Sequence, residues 1–293
     1  MAVIGISLAI AAVSLLGQDQ RPMVDDSKAA PEKAVEPKLP TLFIVGDSTV
    51  KSDAPLRGWG QELAQFFDLR KINVVNRAIG GRSSRTFQNE GRWDRVLAEL
   101  KPGDFVLIQF GHNDVGRYDD PAAKERPSLH GEGEETAEIT KQNGLKETVH
   151  TFGWYMRKYG NDVGAKGATA IFCSMVPHKD WDNGKIVRKE NATFVNWTKN
   201  AAIATGSAFI DLNESAALRL ESLGPEKVAT LFGDKRTHST PAGALLNAET
   251  VVAGLRALKR PKLSRYFSDK AKQIEKTRAF VTDAPRRKGT AVR

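Results

Sequence analysis

The chain has 293 residues, of which 40% are hydrophobic and 27% are charged, which is typical of a soluble globular protein. Its net charge of +9 comes from residues 259–293, where 12 Lys and Arg accompany 3 Asp and Glu, whereas the rest of the chain carries 32 of each sign. This balance excludes a basic nucleic-acid-binding face on the folded body, so we expect no nucleic-acid partner. The single cysteine, Cys173, excludes an intrachain disulfide.

The N-terminal segment is apolar and carries no charged side chain over residues 1–17. It is too short for a comfortable membrane span and lacks the basic region of a standard secretory signal, so it predicts a signal peptide or a short anchor. Residues 18–39 mix charge, alanine and proline without apolar periodicity, which is typical of a linker. We therefore expect a secreted or periplasmic protein.

Between residues 40 and 258, short apolar runs alternate with amphipathic stretches. The apolar runs, which predict strands buried on both faces, are 41–46, 72–76, 104–111, 168–175 and 207–212. The predicted helices are 59–67, 91–100, 147–160, 188–204 and 240–259. This alternation predicts an α/β domain at 40–258, with helices on both faces of a parallel sheet and ligands at the carboxyl ends of its strands.

Two further segments are polar. Residues 118–144 form a long, turn-rich stretch after the third predicted strand, which predicts a loop that walls one side of the ligand cleft. Residues 259–293 are basic and poor in apolar side chains. We expect them to form a solvated tail, with contact to polyanions as the functional alternative.

Polar motifs follow successive predicted strands or precede the last helix. GDSTV offers Ser48 as a nucleophile and its own N–H as an oxyanion donor, and GGRSS offers the N–H of Gly81. FGHNDV offers the amide of Asn113, and GDKRTHS places His238, a candidate general base, before the last helix. Each motif alone is compatible with an ordinary turn. Four of them at successive strand or loop ends indicate acyl-transfer chemistry.

The blocks GDS, GGRS, GHND and a downstream Asp/His pair resemble the four blocks of the SGNH (GDSL-type) hydrolases. GWGQEL, SMVPHKDW and THSTPAGA make the chain most similar to the rhamnogalacturonan acetylesterases within that superfamily. The resemblance spans about residues 40–258. It implies a flavodoxin-like three-layer α/β/α sandwich with a five-stranded parallel sheet, no cofactor, and hydrolysis of acetyl esters on a pectic polysaccharide.

The same resemblance implies roles for individual residues. Ser48 would be the nucleophile and His238 the general base. The oxyanion would be held by the N–H groups of Ser48 and Gly81 and by the Asn113 side chain. The family places its catalytic Asp three residues before the histidine, where this chain has Lys235. Asp234 lies four residues before it, so we expect either a shifted loop that brings Asp234 to the histidine or a weak enzyme without an orienting carboxylate.

Three residues are candidates for substrate contact. Trp181, in a predicted loop after the fourth strand, can stack on a sugar ring or pack as an ordinary core residue. Arg82 and Arg85, beside the second block, can pair with a uronic-acid carboxylate or with carboxylates of the protein itself. The His and Glu residues between His130 and Glu135 lack the spacing of a metal site, so no metal is expected.

These observations favour a secreted carbohydrate acetylesterase that acts as a monomer on an acetylated polysaccharide. A lipid or small-ester hydrolase on the same scaffold is the second hypothesis. A weakly active glycan-binding protein is the third, and it rests on Lys235 at the position of the orienting acid. The sequence contains no Gly-x-Ser-x-Gly motif, which argues against the ordinary α/β-hydrolase arrangement.

Overall fold

The computed structural model describes residues 35–188 and 192–285. The signal-like segment 1–17 and most of the linker 18–39 therefore lie outside the described residues, as does the end of the basic tail, 286–293. Within the described part of the chain, no helix is both long enough and apolar enough to cross a membrane.

A six-stranded sheet forms the centre of the fold. The described strands, in chain order, are β1 Thr41–Gly46, β2 Asn73–Asn76, β3 Phe105–Gln109, β4 Thr136–Thr140, β5 Lys146–His150, β6 Thr169–Cys173, β7 Trp181–Asp182, β8 Lys185–Ile186, β9 Ala208–Ile210 and β10 Val281–Thr282. The sheet order is β10-β9-β6-β3-β1-β2, with β10 antiparallel to β9 and the other five strands parallel. Each predicted apolar run contains one of the parallel strands, in a flavodoxin-like order. The five predicted parallel strands are confirmed, and the antiparallel strand β10 adds a sixth at one edge of the sheet.

Helices cover both faces of this sheet. In chain order they are α1 Ser84–Asn89, α2 Arg92–Glu99, α3 Phe152–Ala165, α4 Ala192–Ala204, α5 Leu212–Ala229, α6 Pro241–Ala257 and α7 Asp269–Lys272. Leu42 and Ile44 of β1 pack in one core cluster with α5, α6 and α7, whereas Phe43 and Val45 pack in another with α1 to α4. Successive strand side chains point to opposite faces, so two covered faces require the unbroken apolar runs seen in the sequence. The predicted three-layer α/β/α sandwich is confirmed.

The polar segment after β3 contains a hairpin that the sequence analysis did not predict. β4 and β5 pair antiparallel, and β4 has no buried residue, so the hairpin lacks the apolar signature of a core strand. The predicted helix 147–160 is wrong at its start, because its first residues belong to β5. Helix α3 begins at Phe152, where the Thr151 hydroxyl accepts a hydrogen bond from the Trp154 N–H and caps the helix.

Further helical segments also differ from expectation. The predicted helix 59–67 forms two short 3₁₀ turns, Trp59–Gln61 and Leu63–Phe66. Helix α5 was not predicted, and it is kinked at Gly224, which has a φ of 77° and is followed by Pro225. A glycine–proline pair interrupts the helical sequence pattern, because proline lacks the N–H that continues the helix.

Residues 259–285 pack on the body instead of extending from it as a solvated tail. Tyr266 and Phe267 are buried in the same core cluster as β1, and the Phe267 ring centroid lies 5.4 Å from that of Phe67. The segment then continues into β10 and completes the edge of the sheet. The domain therefore extends past the expected end at residue 258, because a few widely spaced apolar side chains are enough to anchor this polar segment.

Candidate active site

Ser48 lies in a tight turn directly after β1. Asp47 Oδ1 accepts hydrogen bonds from the N–H of Thr49 at 2.8 Å and from its hydroxyl at 2.7 Å, which closes the turn. Burial favours the neutral form of Asp47, but hydrogen bonds from His112 and Thr49 outweigh it and hold the pKa of this carboxyl below its usual range. Every residue of β1 and of this turn is buried except Ser48. The strand therefore presents one hydroxyl at the carboxyl edge of the sheet.

The structure brings Ser48, His238 and Asp234 into one hydrogen-bonded row. Ser48 Oγ lies 2.8 Å from His238 Nε2, and His238 Nδ1 lies 2.5 Å from Asp234 Oδ2. A carboxylate can only accept, so Nδ1 carries the ring hydrogen and the Nε2 of the neutral imidazole accepts from the Ser48 hydroxyl. This is the arrangement that a general base needs to activate a serine nucleophile.

Asp234 reaches the histidine in spite of Lys235 because the loop turns around its carboxylate. Asp234 Oδ1 accepts from the backbone N–H of Arg236 at 3.0 Å, Thr237 at 2.7 Å and His238 at 3.0 Å. Lys235 is left exposed at the tip, and Oδ2 is free to meet the imidazole. Partial burial favours the neutral acid, but these hydrogen bonds outweigh it and hold the pKa of Asp234 well below its usual range.

The glycine segment of the second block lies beside Ser48. A β-carbon on Gly80 would lie 3.5 Å from Ser48 Cβ, and Gly81 has a φ of 76°, in the left-handed region that favours glycine. In the described part of the chain, the N–H groups of Ser48 and Gly81 pair with no backbone carbonyl. Asn113 Nδ2 donates to the Arg82 carbonyl at 3.1 Å, which holds the amide against the same glycine segment.

The two arginines beside the second block have protein partners. Arg85 is fully buried, with Nε 2.6 Å from Glu147 Oε1 and with Nη1 donating to the Pro127 carbonyl at 2.7 Å. Arg85 has no exposed surface that could contact a substrate, so of its two alternatives the structure shows the pairing with a carboxylate of the protein. Arg82 is one-third exposed and its Nε lies 2.9 Å from Glu90 Oε2, so its charge is already paired.

Trp181 lies on the short hairpin of β7 and β8, next to the histidine loop. It is partly buried against a small cluster that includes Ile186 and Leu220. The Lys179 N–H donates to the Arg236 carbonyl at 2.9 Å, which joins this hairpin to the loop that carries the candidate base. Stacking of Trp181 on a sugar stays a prediction.

The segment from His130 to Glu135 packs beside α4. The His130 ring centroid lies 5.4 Å from that of Phe194 and 6.2 Å from that of Trp197. Within residues 35–188 and 192–285, no group of three or more His, Cys, Asp or Glu is arranged to hold a metal ion.

Comparison with known proteins identifies the family. Residues 44–246 match the model of the GDSL-like Lipase/Acylhydrolase family, which covers more than half of the chain. This chain belongs to that family. It is therefore a hydrolase of carboxylic esters, and the family resemblance carried by the GDS, GGRS and GHND blocks is confirmed.

The relatives of this GDSL-like hydrolase include acetylesterases. The rhamnogalacturonan acetylesterase of Emericella nidulans is 34% identical over 209 residues, which cover 71% of this chain and 82% of that protein. The probable rhamnogalacturonan acetylesterase YesY of Bacillus subtilis is 30% identical over 228 residues, covering 75% and 94%. The structure of Bacillus subtilis YxiM superposes with a TM-score of 0.59 at 26% identity, over 78% of this chain and 56% of that one. Axe2, an acetylxylan esterase from Geobacillus stearothermophilus, shares the fold, with a TM-score of 0.51 at 20% identity over 73% of this chain and 92% of its own.

Two residues at the site of this GDSL-like hydrolase were not singled out in the sequence. Asp114 is buried and accepts from the Ser84 hydroxyl at 2.5 Å and from its N–H at 3.1 Å, which ties the third block to the second. Burial raises the pKa of Asp114 to about 6, against the effect of these hydrogen bonds. Arg126, from the polar segment after β3, donates from Nη1 to Asn113 Oδ1 at 3.0 Å. Nothing in the sequence distinguishes Arg126 from the other charged residues of that segment.

Proposed function

We propose that this protein is a secreted esterase that removes O-acetyl groups from a plant or algal cell-wall polysaccharide of the rhamnogalacturonan type. The observation that carries the proposal is the hydrogen-bonded row of Asp234, His238 and Ser48 in a member of an acylhydrolase family. Relatives that are 30–34% identical are named for that substrate. The apolar segment 1–17 supports export.

The first half of the proposed reaction forms an acetyl-enzyme. His238 Nε2 takes the Ser48 proton while Oγ attacks the acetyl carbonyl carbon, and the carbonyl oxygen becomes an oxyanion. That oxyanion accepts hydrogen bonds from the N–H groups of Ser48 and Gly81 and from the Asn113 amide. Asp234 stabilises the imidazolium through Nδ1–H. His238 then gives its proton to the sugar oxygen as the ester bond breaks, which frees the sugar hydroxyl.

The second half returns the enzyme to its starting state. A water molecule takes the place of the sugar, and His238 accepts one of its protons as the water oxygen attacks the acetyl carbonyl. The second tetrahedral species collapses, the bond to Ser48 Oγ breaks, and the proton returns from His238 to the serine. Acetate leaves, and every proton transfer uses a group of the chain or water.

The surroundings of Ser48 bear on the two alternative functions. Its neighbours include the glycine segment at Gly80 and His238. The Asn113 amide is bonded to Arg82, next to that glycine segment. These groups are polar or small and favour an acetyl group over a fatty acyl chain. A lipid hydrolase therefore remains the second candidate. The hypothesis of a weak glycan binder rested on Lys235, and the contact between Asp234 and the base supports an active esterase instead.

The experiment that tests this function compares substrates for the wild-type protein. We expect acetate release from acetylated rhamnogalacturonan to be faster than from acetylated xylan. We also expect kcat/KM for p-nitrophenyl acetate to exceed that for p-nitrophenyl octanoate by about tenfold or more, because a small polar site gains nothing from the longer chain. A preference for the octanoate would overturn the acetylesterase in favour of a lipid hydrolase, and faster release from xylan would replace the proposed polymer.

A further inference from the structure

We propose that Arg126 is a positioning residue that fixes the Asn113 side chain in the orientation in which its amide N–H faces the oxyanion. The inference rests on the proposed ester hydrolysis at Ser48 and adds to it a residue outside the four sequence blocks. It also gives the polar segment after β3 a specific role in the chemistry.

The Asn113 amide is held at both of its ends by groups with opposite hydrogen-bonding capacity. Arg126 Nη1 donates to Oδ1 at 3.0 Å, and Nδ2 donates to the Arg82 carbonyl at 3.1 Å. A guanidinium can only donate and a carbonyl can only accept, so a half-turn of the amide would lose both bonds. One orientation of the amide is therefore selected, and the second hydrogen on Nδ2 is left for the substrate oxygen.

The positive charge of Arg126 strengthens this arrangement. A hydrogen bond from a guanidinium is stronger than one from a neutral donor, and withdrawing electron density from Oδ1 makes the amide a better N–H donor. Nη1 would lie 3.8 Å from a β-carbon placed on Gly81, so the guanidinium lies beside the second oxyanion donor as well.

Arg126 differs from the neighbouring arginines in how its charge is used. Arg82 is paired with Glu90, Arg85 with Glu147 and Arg236 with Asp180. Among residues 35–188 and 192–285, no carboxylate pairs with Arg126, and its one side-chain partner is the Asn113 amide. Its remaining side-chain bond is a long one, from Nε to the Ala123 carbonyl at 3.4 Å.

The segment that carries Arg126 is held in place by a buried ion pair. Arg85, anchored by Glu147, donates to the carbonyl of the next residue, Pro127, at 2.7 Å. Two residues further on, the Leu129 N–H donates to the His150 carbonyl at 3.0 Å. The buried Arg85 thus fixes the backbone from which Arg126 reaches the amide.

The test measures kinetics on p-nitrophenyl acetate, a neutral substrate without a sugar. We expect Arg126→Ala to lower kcat by about 10- to 100-fold, which is part of the effect of losing one oxyanion donor, with KM within about twofold of wild type. We expect Arg126→Lys to recover part of this loss. In an Asn113→Ala background, Arg126→Ala should lower kcat no further, because the two residues act through one amide. Arg117→Ala replaces an exposed arginine, just before this segment, that pairs with Asp119. It is the charge-matched control and should leave kcat unchanged.

Three results would overturn the inference. Independent, multiplying effects of the Arg126 and Asn113 substitutions would show that the guanidinium does not act through the amide. A rise in KM on acetylated rhamnogalacturonan, with p-nitrophenyl acetate unaffected, would assign Arg126 to a substrate carboxylate. If the Arg126→Ala variant lost kcat and also had a lowered midpoint of urea unfolding, the role of Arg126 would be structural. Failure of the proposed function appears separately, as a wild-type protein that releases acetate from neither polymer.

Discussion

The Ser48→Ala variant is expected to fold as the wild type does and to lose acetate release by about 10⁴-fold or more in kcat. Ser48 Oγ is the one hydroxyl that contacts His238 Nε2 among the described residues, so its removal leaves the base without a nucleophile to activate. The residual rate would come from the oxyanion donors and from binding alone. The measurement is acetate release from acetylated rhamnogalacturonan and hydrolysis of p-nitrophenyl acetate.

A matched serine substitution controls for this result. Ser222→Ala removes an exposed hydroxyl on α5 that donates to the Arg219 carbonyl, and it should retain full activity. Turnover by Ser48→Ala within tenfold of wild type would contradict the assignment of the nucleophile. Circular dichroism of both variants separates loss of chemistry from loss of fold.

The Asp234→Asn variant is expected to lower kcat by about 10²- to 10⁴-fold while the loop keeps its shape. Asparagine retains the Oδ1 acceptor that three backbone N–H groups share, so the turn is preserved. Its amide nitrogen would face His238 Nδ1 and favour the tautomer with hydrogen on Nε2, which cannot accept the serine proton. The readout is kcat on p-nitrophenyl acetate, with KM as an internal check that binding is intact.

Lys235→Ala is the control for Asp234→Asn, because Lys235 occupies the position at which the family has its catalytic Asp. Lys235 is exposed at the tip of the loop, so its replacement should leave kcat within about twofold of wild type. The opposite pattern, with Asp234→Asn near wild type and Lys235→Ala inactive, would contradict the role of Asp234. That result would support the alternative hypothesis of a weak enzyme without an orienting acid.

The buried parts of the fold could be predicted from the sequence because they carry a strong physical signal. A parallel strand covered on both faces is apolar at nearly every position, so TLFIVG and FVLIQ are recognisable without any partner. The hairpin of β4 and β5 carries no such signal, because β4 has no buried side chain. The segment 259–285 was misjudged for a related reason, since its few buried anchors, such as Tyr266 and Phe267, lie among many charged residues.

The site was predictable where a block of residues follows a strand, and not where a long-range contact decides. Ser48, Gly81 and Asn113 follow β1, β2 and β3, so the order of these neighbouring parallel strands places them at the same edge of the sheet. The burial of Arg85 depends on its pairing with Glu147, 62 residues away. No local sequence pattern predicts a contact over that distance. Asp234 contacts His238 because three backbone N–H groups close a turn around its carboxylate. The spacing of the two residues in the sequence does not predict this turn.

The most direct test of the account is covalent labelling of the wild-type protein with a fluorophosphonate, which reacts with activated serines, followed by peptide mass spectrometry. We predict a single adduct on Ser48, with labelling slowed strongly in His238→Ala and Asp234→Asn and unchanged in Lys235→Ala. An adduct on another residue, or acetate release by a protein that takes no label at Ser48, would contradict the central claim that Ser48 is the nucleophile activated by His238.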